Sequence, residues 1–354
     1  MLAYVGSFTT KERKARGKGI EVYRVAPDSR GWSHVQRVED LVNPSYLAVD
    51  RRGRFLYAVH ADLDEISAFA IDAERGRLGF VNRQRAGGPN LVHLAIDPRN
   101  RFIVTANYAN GTLSVVPIEA DGSLGARIRT LTLAGEPGPH KREQTGSHPH
   151  HIPFDPSGRF ALVPDKGLDR IFVFRLDALH GRLEPNDPPF VEARRGAAPR
   201  HIAFHPFLPR AYVVNELDST VTTYRWDGER GELQPLQILP SLPDSFTGNN
   251  TGSEIAVAPS GAFVYASNRG HDSIAIFAIE RASGRLTPIG WEATQGEKPR
   301  FFALAPSGRQ LYAANEASDT IVAFAVDTTT GKLTPTGEPV ESASPSCIVF
   351  SGER

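Results

Sequence analysis

Residues 199–216, PRHIAFHPFLPRAYVVNE, carry side chains with catalytic potential at both ends of an apolar hairpin. Arg200 and His201 precede the first apolar run, and Glu216 follows the second. An arginine binds a carboxylate or phosphate with two parallel N–H groups, while a histidine exchanges protons near neutral pH. Because a turn joins the two runs, their outer ends lie side by side and bring the three side chains together. The segment therefore predicts a site for anion binding or proton transfer.

The same pattern recurs along the chain and indicates which elements would position such a site. Each of six units has an apolar run, a turn such as DPSGR and a second apolar run. Two further strands follow, as in ISAFAIDAERGRL and IAIFAIERASGRL. The aligned turn residues advance in steps of 47, 58, 50, 53 and 47 residues and are Asp50, Asp97, Asp155, His205, Ala258 and Ala305. Four-stranded units at this spacing are typical of a β-propeller.

The two ends of the chain supply the parts of a seventh unit. Residues 345–350, PSCIVF, have the pattern of a first strand, and residues 1–38 contain three more strands. Helical solenoids and WD40 repeats fit less well, because a sustained 3.6-residue apolar period and the Gly-His and Trp-Asp signatures are both missing. We expect one all-β domain, residues 1–354, folded as a seven-bladed β-propeller with four-stranded antiparallel blades. Its closing blade would be shared by the N- and C-terminal strands, which leaves no open edge.

Residues just before the first strand and just after the second strand of each unit should lie at one face of the propeller, around the central channel. Before the first strands come His148, His150, His151, Arg200, Glu254 and Arg300. After the second strands come His60, Asn107, Tyr108, Asp165, Glu216, Asn268, Arg269, Asn315 and Glu316. Such charges can simply pair with one another at a polar mouth. Three arginines at equivalent positions nevertheless favour a binding site for an anion.

The composition limits the classes of partner. Forty basic residues balance forty acidic ones, which argues against a nucleic-acid or membrane-surface partner. The single cysteine, Cys347, excludes an intrachain disulfide and fits a reducing compartment. The first residues, MLAYVGSFTT, lack the pattern of a leader peptide, and no apolar run is long enough to cross a bilayer. We expect a cytoplasmic protein, with its protein partners and oligomeric state left open by the sequence.

The HPHH segment, residues 148–151, is the motif that most suggests a metal site. His148 and His150 would lie on one face of a strand, but the predicted mouth offers few acidic ligands. The chain also has no HExxH, CxxC, GxSxG or Walker A pattern. We therefore expect neither a metal nor an organic cofactor.

A resemblance to a known family is carried by YVGSFT, GSHPHHIPFDPSGRF, PRHIAFHP, VVNELDSTV, ASNRGHDSIAIF and KPRFFALAPSGRQLYAANE. Over essentially the whole chain these motifs resemble the seven-bladed propeller lactonases, which include bacterial 6-phosphogluconolactonases and the fungal carboxy-cis,cis-muconate cyclase. The resemblance implies hydrolysis of an anionic sugar δ-lactone, with 6-phosphogluconolactone of the pentose phosphate pathway as the expected substrate. A cyclase, or a lactonase for another lactone, would suit the same arginines. A non-enzymatic propeller that serves as a binding platform is the more distant alternative.

The resemblance also implies the site residues. The expected catalytic residues are His150, Glu216, Arg200 and Arg269. The expected substrate-binding residues are Arg300, His201, Asn107, Tyr108 and His148. Opening a lactone requires an activated water and a group that stabilises the oxyanion. We expect His150 or Glu216 to activate water and Arg200 or Arg269 to stabilise the oxyanion, while the remaining arginines hold the phosphate.

The sequence departs from the family pattern at two positions near these residues. Lys166 stands where the pattern has leucine, and Glu316 stands where it has glutamine. The additional negative charge of Glu316 is expected to weaken an anion site.

Overall fold

The structure, a computed structural model, describes residues 1–26, 31–177 and 179–351. Residues 27–30, 178 and 352–354 of the predicted domain lie outside the described residues. The described residues contain 27 β-strands in seven sheets and no helix. This architecture confirms the predicted all-β, seven-bladed propeller.

The strands are short and regularly spaced along the chain. In chain order they are β1 (Leu2–Ser7), β2 (Ile20–Val25), β3 (Trp32–Val38), β4 (Pro44–Val49), β5 (Phe55–His60), β6 (Glu65–Asp72), β7 (Arg77–Arg85), β8 (Leu91–Ile96), β9 (Phe102–Asn107), β10 (Thr112–Pro117), β11 (Arg129–Thr132), β12 (Phe160–Asp165), β13 (Arg170–Asp177), β14 (Arg182–Glu192), β15 (Pro199–Phe204), β16 (Arg210–Asn215), β17 (Thr220–Asp227), β18 (Glu232–Pro240), β19 (Thr251–Val257), β20 (Phe263–Arg269), β21 (Ser273–Ile279), β22 (Leu286–Ala293), β23 (Pro299–Leu304), β24 (Gln310–Asn315), β25 (Thr320–Val326), β26 (Leu333–Glu341) and β27 (Pro345–Ser351).

Each blade is an antiparallel sheet whose first strand lies at the channel and whose last strand lies at the rim. Apolar side chains fill the space between adjacent blades, as where Val59 of one blade and Leu94 of the next belong to the same buried cluster. Tyr57, Tyr212 and Tyr265 occupy equivalent positions on the second strands. Their hydroxyls donate to glycine carbonyls of the following blade at 3.0, 2.8 and 2.9 Å. Each of these blades is thus tied to the next by apolar packing and a buried hydrogen bond.

The closing blade joins the two ends of the chain, as predicted. Its strand order is β27-β1-β2-β3, with β27 innermost. Strand β27 runs antiparallel to β1, with Val349 opposite Tyr4 and Ile348 opposite Val5. It also packs against the inner strands β4 and β23 on either side. The first and last blades are therefore linked through this shared sheet.

The blade that contains β12, β13 and β14 differs from the others in its inner strand. The inner segment pairs with β12 only through two isolated bridges, Pro149 to Asp165 and Phe154 to Ala161. Two hydrogen bonds also join the strands, from the His150 amide to the Pro164 carbonyl and from the Leu162 amide to the Pro153 carbonyl, both at 3.0 Å. Prolines cannot donate to a ladder, so the two prolines of HPHHIPF interrupt regular pairing. The unit therefore keeps an inner segment beside β12, but this segment pairs less regularly than the first strands of the other blades.

Removal of residues 345–354 should open the ring. Ile348 is 2% exposed, and full burial of such a side chain contributes roughly 1.5–3 kcal/mol. The truncation also leaves the edge of β1 unpaired. We expect the truncated chain to unfold at a much lower temperature than the full chain in a circular dichroism melt. A variant that lacks only residues 352–354 is the control, and equal melting temperatures for all three proteins would contradict closure by β27.

Candidate active site

A cavity of about 220 Å³ opens at the mouth of the channel. Its polar lining consists of Arg13, Ser45, Tyr46, Asn90, Tyr108, His150, Lys166, Arg200, His201, Glu216, Arg269, Arg300 and Ser346. Pockets for drug-sized ligands have roughly 300–1,000 Å³, so this cavity suits a smaller molecule. The predicted site residues that line it are His150, Glu216, Arg200, Arg269, Arg300, His201 and Tyr108. The structure therefore brings together most of the side chains that the sequence had grouped at one mouth.

A β-bulge near the start of the inner strands turns side chains toward this cavity. In β15, Pro199 is opposite Asn215 and His201 is opposite Val214, which leaves Arg200 as an extra residue without a partner. A regular strand would send two consecutive side chains to opposite faces. The bulge instead allows Arg200 and His201 both to line the cavity. The same shift occurs in four other inner strands, where the extra residues that line the cavity are Ser45, Val92, Arg300 and Ser346.

Glu216 is surrounded by three cations in the cavity wall. Its Oε1 lies 2.7 Å from Lys166 Nζ. Its Oε2 lies 3.0 Å from Arg200 Nε and 3.3 Å from Arg269 Nη2. Burial alone would raise the pKa of Glu216, but the charges of these three neighbours outweigh it and hold the pKa well below its usual range. The carboxylate is therefore ionised at neutral pH, and three positive charges face one negative charge.

Backbone carbonyls of β19 hold the two arginines of this cluster in place. Arg200 Nη1 donates to the Ser253 carbonyl at 2.7 Å, and Arg269 Nη2 donates to the Gly252 carbonyl at 3.0 Å. The Nε of each arginine is buried and makes no hydrogen bond within the described residues, although Arg200 Nε lies 3.0 Å from Glu216 Oε2. Buried donors without partners are costly. Both guanidinium groups line the cavity, so an anion there would meet their positive charge.

His150 lies in the same wall and is uncharged at neutral pH. Its Nδ1 is 3.2 Å from Nε2 of His201, and its Nε2 makes no hydrogen bond within the described part of the chain. Burial lowers the pKa of His150 well below its ordinary value, and the positive charge of Arg200 lowers it further. A neutral imidazole with a free nitrogen at a cavity can accept a proton from water.

Tyr108 lines the cavity, but the neighbouring His148 and Asn107 do not. The His148 ring stacks on Tyr108 with centroids 4.5 Å apart, and its Nδ1 is 2.9 Å from the Tyr108 carbonyl oxygen. The amide of Asn107 donates to Thr112 and Ser114 at 2.9 and 2.8 Å and so ties β9 to β10. The structure therefore does not bring Asn107 and His148 into the cavity lining, because Asn107 bonds within its own blade and His148 contacts Tyr108, and a substrate contact for either residue stays a prediction.

Lys166, Phe8 and Arg13 are among the cavity-lining residues that the sequence reasoning did not assign to the site. Lys166 was noted only as a departure from a family pattern, yet it forms the shortest ion pair of Glu216. Phe8 and Arg13 belong to the loop between β1 and β2, whose path across the mouth no local pattern predicts. The Phe8 ring lies between the guanidinium groups of Arg13 and Arg300, at 4.5 and 4.9 Å from their central carbons. The cationic segment KERKARGK in this loop was the available signal.

Two further cations that line the cavity, Arg13 and Arg300, already have acidic partners. Arg13 forms a two-pronged ion pair with Asp62, with both N–O distances 2.6 Å. Arg300 Nη1 lies 3.7 Å from Glu316, whose other oxygen is 3.1 Å from Lys298 Nζ. The excess positive charge of the cavity is thus concentrated around Glu216.

Two properties of the described residues bear on other classes of protein. No group of three or more His, Cys, Asp or Glu side chains within them is arranged to hold a metal ion. No helix in these residues is long and apolar enough to cross a membrane.

Comparisons with known proteins give a consistent result. The family model described as lactonase, 7-bladed beta-propeller, matches residues 2–350. The 6-phosphogluconolactonase of Bacillus subtilis is 35% identical over 304 residues, which cover 85% of this chain and 84% of that protein. The 6-phosphogluconolactonase of Formosa agariphila is 34% identical over 309 residues, with 85% of each chain covered. The solved structure of the periplasmic gluconolactonase of Pseudomonas aeruginosa is 29% identical, has a TM-score of 0.92 and matches 99% of both chains.

Substitution of Glu216 by Gln should destabilise the fold, because it leaves Lys166, Arg200 and Arg269 without their shared counterion. Loss of one partner from a buried ion pair typically costs about 3–5 kcal/mol. We expect a loss of this size in the free energy of unfolding measured with guanidinium chloride, and we expect phosphate to restore part of it.

Glu316→Gln is the matched control, since Glu316 occupies the equivalent position after β24. Its nearer partner Lys298 is 51% exposed, and pairs of this kind contribute about 0–1 kcal/mol. Its contact with Arg300 is longer, at 3.7 Å, so we expect a smaller loss than for Glu216→Gln. Equal losses for the two variants would contradict the role assigned to the cluster around Glu216.

Proposed function

The chain belongs to the lactonase family of seven-bladed β-propellers, and on that basis we propose that it hydrolyses 6-phosphogluconolactone to 6-phosphogluconate. The observation that carries the proposal is the buried excess of positive charge around Glu216, next to the neutral His150. The cations match an anionic substrate, and the histidine matches the need for an activated water. The cavity of about 220 Å³ suits a molecule the size of one sugar.

His150 is the better of the two candidates for water activation. Both carboxylate oxygens of Glu216 are engaged by cations, Oε1 by Lys166 and Oε2 by Arg200 and Arg269, so neither is free to accept a proton from water. His150 is neutral and lines the cavity, and its Nε2 makes no hydrogen bond among the described residues. We therefore assign water activation to His150 and charge balance of the arginines to Glu216.

The proposed reaction uses the other groups in the following way. His150 takes a proton from water as the water oxygen bonds to the lactone carbonyl carbon. Arg200 or Arg269 stabilises the oxyanion that forms there, since their guanidinium groups are already oriented by backbone carbonyls. The ring C–O bond then breaks, and His150 returns the proton to the departing ring oxygen. The product is a hydroxy acid that ionises in solution.

Three alternatives share part of this chemistry. The Pseudomonas relative is a gluconolactonase by name, so a lactone without phosphate is the nearest rival. A cyclase acting on a carboxylate-bearing lactone would use the same arginines, and a binding platform would use no chemistry at all. We also propose a cytoplasmic location and a role in the pentose phosphate pathway, on the grounds of the single cysteine and the expected substrate.

Rates on 6-phosphogluconolactone and glucono-δ-lactone distinguish these functions and separate phosphate binding from catalysis. Replacement of a phosphate-binding arginine by Ala should cost about 2–5 kcal/mol on the phosphorylated lactone and far less on the other. Replacement of His150 by Ala should lower kcat on both lactones alike. We expect the first pattern for at least one of Arg200, Arg269 and Arg300. Each rate requires subtraction of spontaneous lactone hydrolysis.

The unsubstituted protein serves as the reference for both lactones. A marked preference for the phosphorylated lactone supports the proposed substrate, while equal rates favour the gluconolactonase alternative. Parental rates for all four variants would show that this mouth is not the active site.

A further inference from the structure

Two buried ionisable residues next to His150 have no part in the reaction described above: His201, which also lines the cavity, and Glu254, which does not. His201 is 2% exposed and Glu254 is 6% exposed. His150 Nδ1 is 3.2 Å from His201 Nε2, and His201 Nδ1 is 2.9 Å from Glu254 Oε1. A continuous line of hydrogen bonds therefore leads from the cavity into the protein interior.

The hydrogen bonds of Glu254 determine the direction of this line. Its Oε1 accepts the Ile255 amide at 3.0 Å, and its own amide donates to Ser267 Oγ at 3.0 Å. Because Oε1 acts as an acceptor, His201 donates to it from Nδ1, and His201 Nε2 carries a lone pair. His150 must then donate from Nδ1 to His201, which leaves the lone pair of His150 Nε2 at the cavity. The chain of contacts thus selects the tautomer that a base needs.

We propose that His201 and Glu254 are positioning residues that relay a proton from His150 into the protein while His150 activates water. The proposal rests on the lactonase function proposed above. As the water O–H bond breaks, its proton bonds to His150 Nε2. The Nδ1 proton of His150 passes to His201 Nε2, and the Nδ1 proton of His201 passes to Glu254. All three transfers reverse when the ring oxygen leaves, so no further reactant is needed.

The surroundings of His150 give the physical reason for a relay. A protonated His150 would be a fourth cation beside Arg200, Arg300 and Lys166. Like charges in a buried site repel strongly, because little water screens them. The relay leaves His150 and His201 neutral and converts the buried carboxylate of Glu254 into a neutral acid. The Oε2 of Glu254 is buried and makes no hydrogen bond within the described residues, which also favours the neutral form.

The ionisable groups around Glu254 allow it to take up a proton near neutral pH. The groups that face it are His151, Arg200, His201, Tyr46 and Cys347, the last two on the adjacent inner strands. Burial raises the pKa of Glu254 to about 7, although His151 and Arg200 partly oppose this. Because the relay requires ionised Glu254, kcat/KM should rise as the pH increases through about 7.

Substitution of Glu254 by Gln separates a relay from a purely structural role. The amide oxygen of Gln can still accept from His201 and Ile255, but the side chain cannot take up a proton. We expect kcat to fall by about 10²-fold, within the range of general acid–base effects, with KM nearly unchanged. The rise in kcat/KM between pH 6 and 8 should disappear. An unchanged kcat with an unchanged pH profile would overturn the relay.

Glu292→Gln is the matched control, because it makes the same change on the outer strand β22 of the same blade. It should keep the parental kcat and pH profile. Thermal unfolding of both variants verifies that they are folded, and loss of the pH rise in the control as well would overturn the assignment to Glu254.

The tautomers can be measured without any substrate. In protein labelled with ¹⁵N-histidine, and assigned with His150→Gln and His201→Gln variants, ring ¹⁵N shifts report which nitrogen carries the proton. We expect both His150 and His201 to be protonated at Nδ1 at pH 8, and a proton on Nε2 of His150 would overturn the relay. If the parental protein hydrolyses neither lactone, the proposed function fails and this measurement alone decides whether the line of hydrogen bonds has the proposed direction.

Discussion

The β-bulge near the start of the inner strands is the constraint on which the candidate site depends. A regular strand presents alternate residues to the channel, whereas the bulge presents two consecutive ones. Arg200 and His201 of one blade thereby line the cavity, and Arg300 and Phe301 of another blade line the same cavity. Repetition of this feature around the ring directs side chains from distant parts of the chain to a single volume of about 220 Å³. The seven-bladed architecture determines where the inner strands lie around the channel, and the bulge determines which of their side chains point to the cavity.

The site combines two electrostatic environments, and Arg200 takes part in both. Around Glu216, three cations face one carboxylate and create an excess of positive charge. The line from His150 through His201 to Glu254 provides a buried acceptor beside this cluster, since Arg200 also lies close to Glu254. Burial affects both environments in two ways. It strengthens the interaction between charges, because little water screens them, and it makes a charge without a partner costly. The first environment suits an anionic substrate, and the second suits a base that must stay neutral.

Lys166 and Glu316, which depart from the family pattern, change the distribution of charge around the cavity. Lys166 adds a cation in contact with Glu216 and is itself only 3% exposed. Glu316 adds a carboxylate near Arg300, where it also pairs with Lys298. Compared with the family pattern, Glu316 makes the rim of the cavity more negative. Lys166 makes the wall that contains Arg200 and Arg269 more positive. The effect on anion binding therefore depends on position and cannot be judged from the sum of the charges.

The sequence by itself determined the blades, their number, the closing strand β27 and most of the residues that meet at the mouth. These features follow from alternation, turn residues and spacing, which act between near neighbours in the chain. Only the tertiary structure decided that Asn107 points into its own blade, that Phe8 and Arg13 cross the mouth, and that Glu254 lies behind His150. Lys166 and Glu216 are 50 positions apart, and His201 and Glu254 are 53. Such pairs meet because whole blades are rotated about one axis, and no local pattern encodes that rotation.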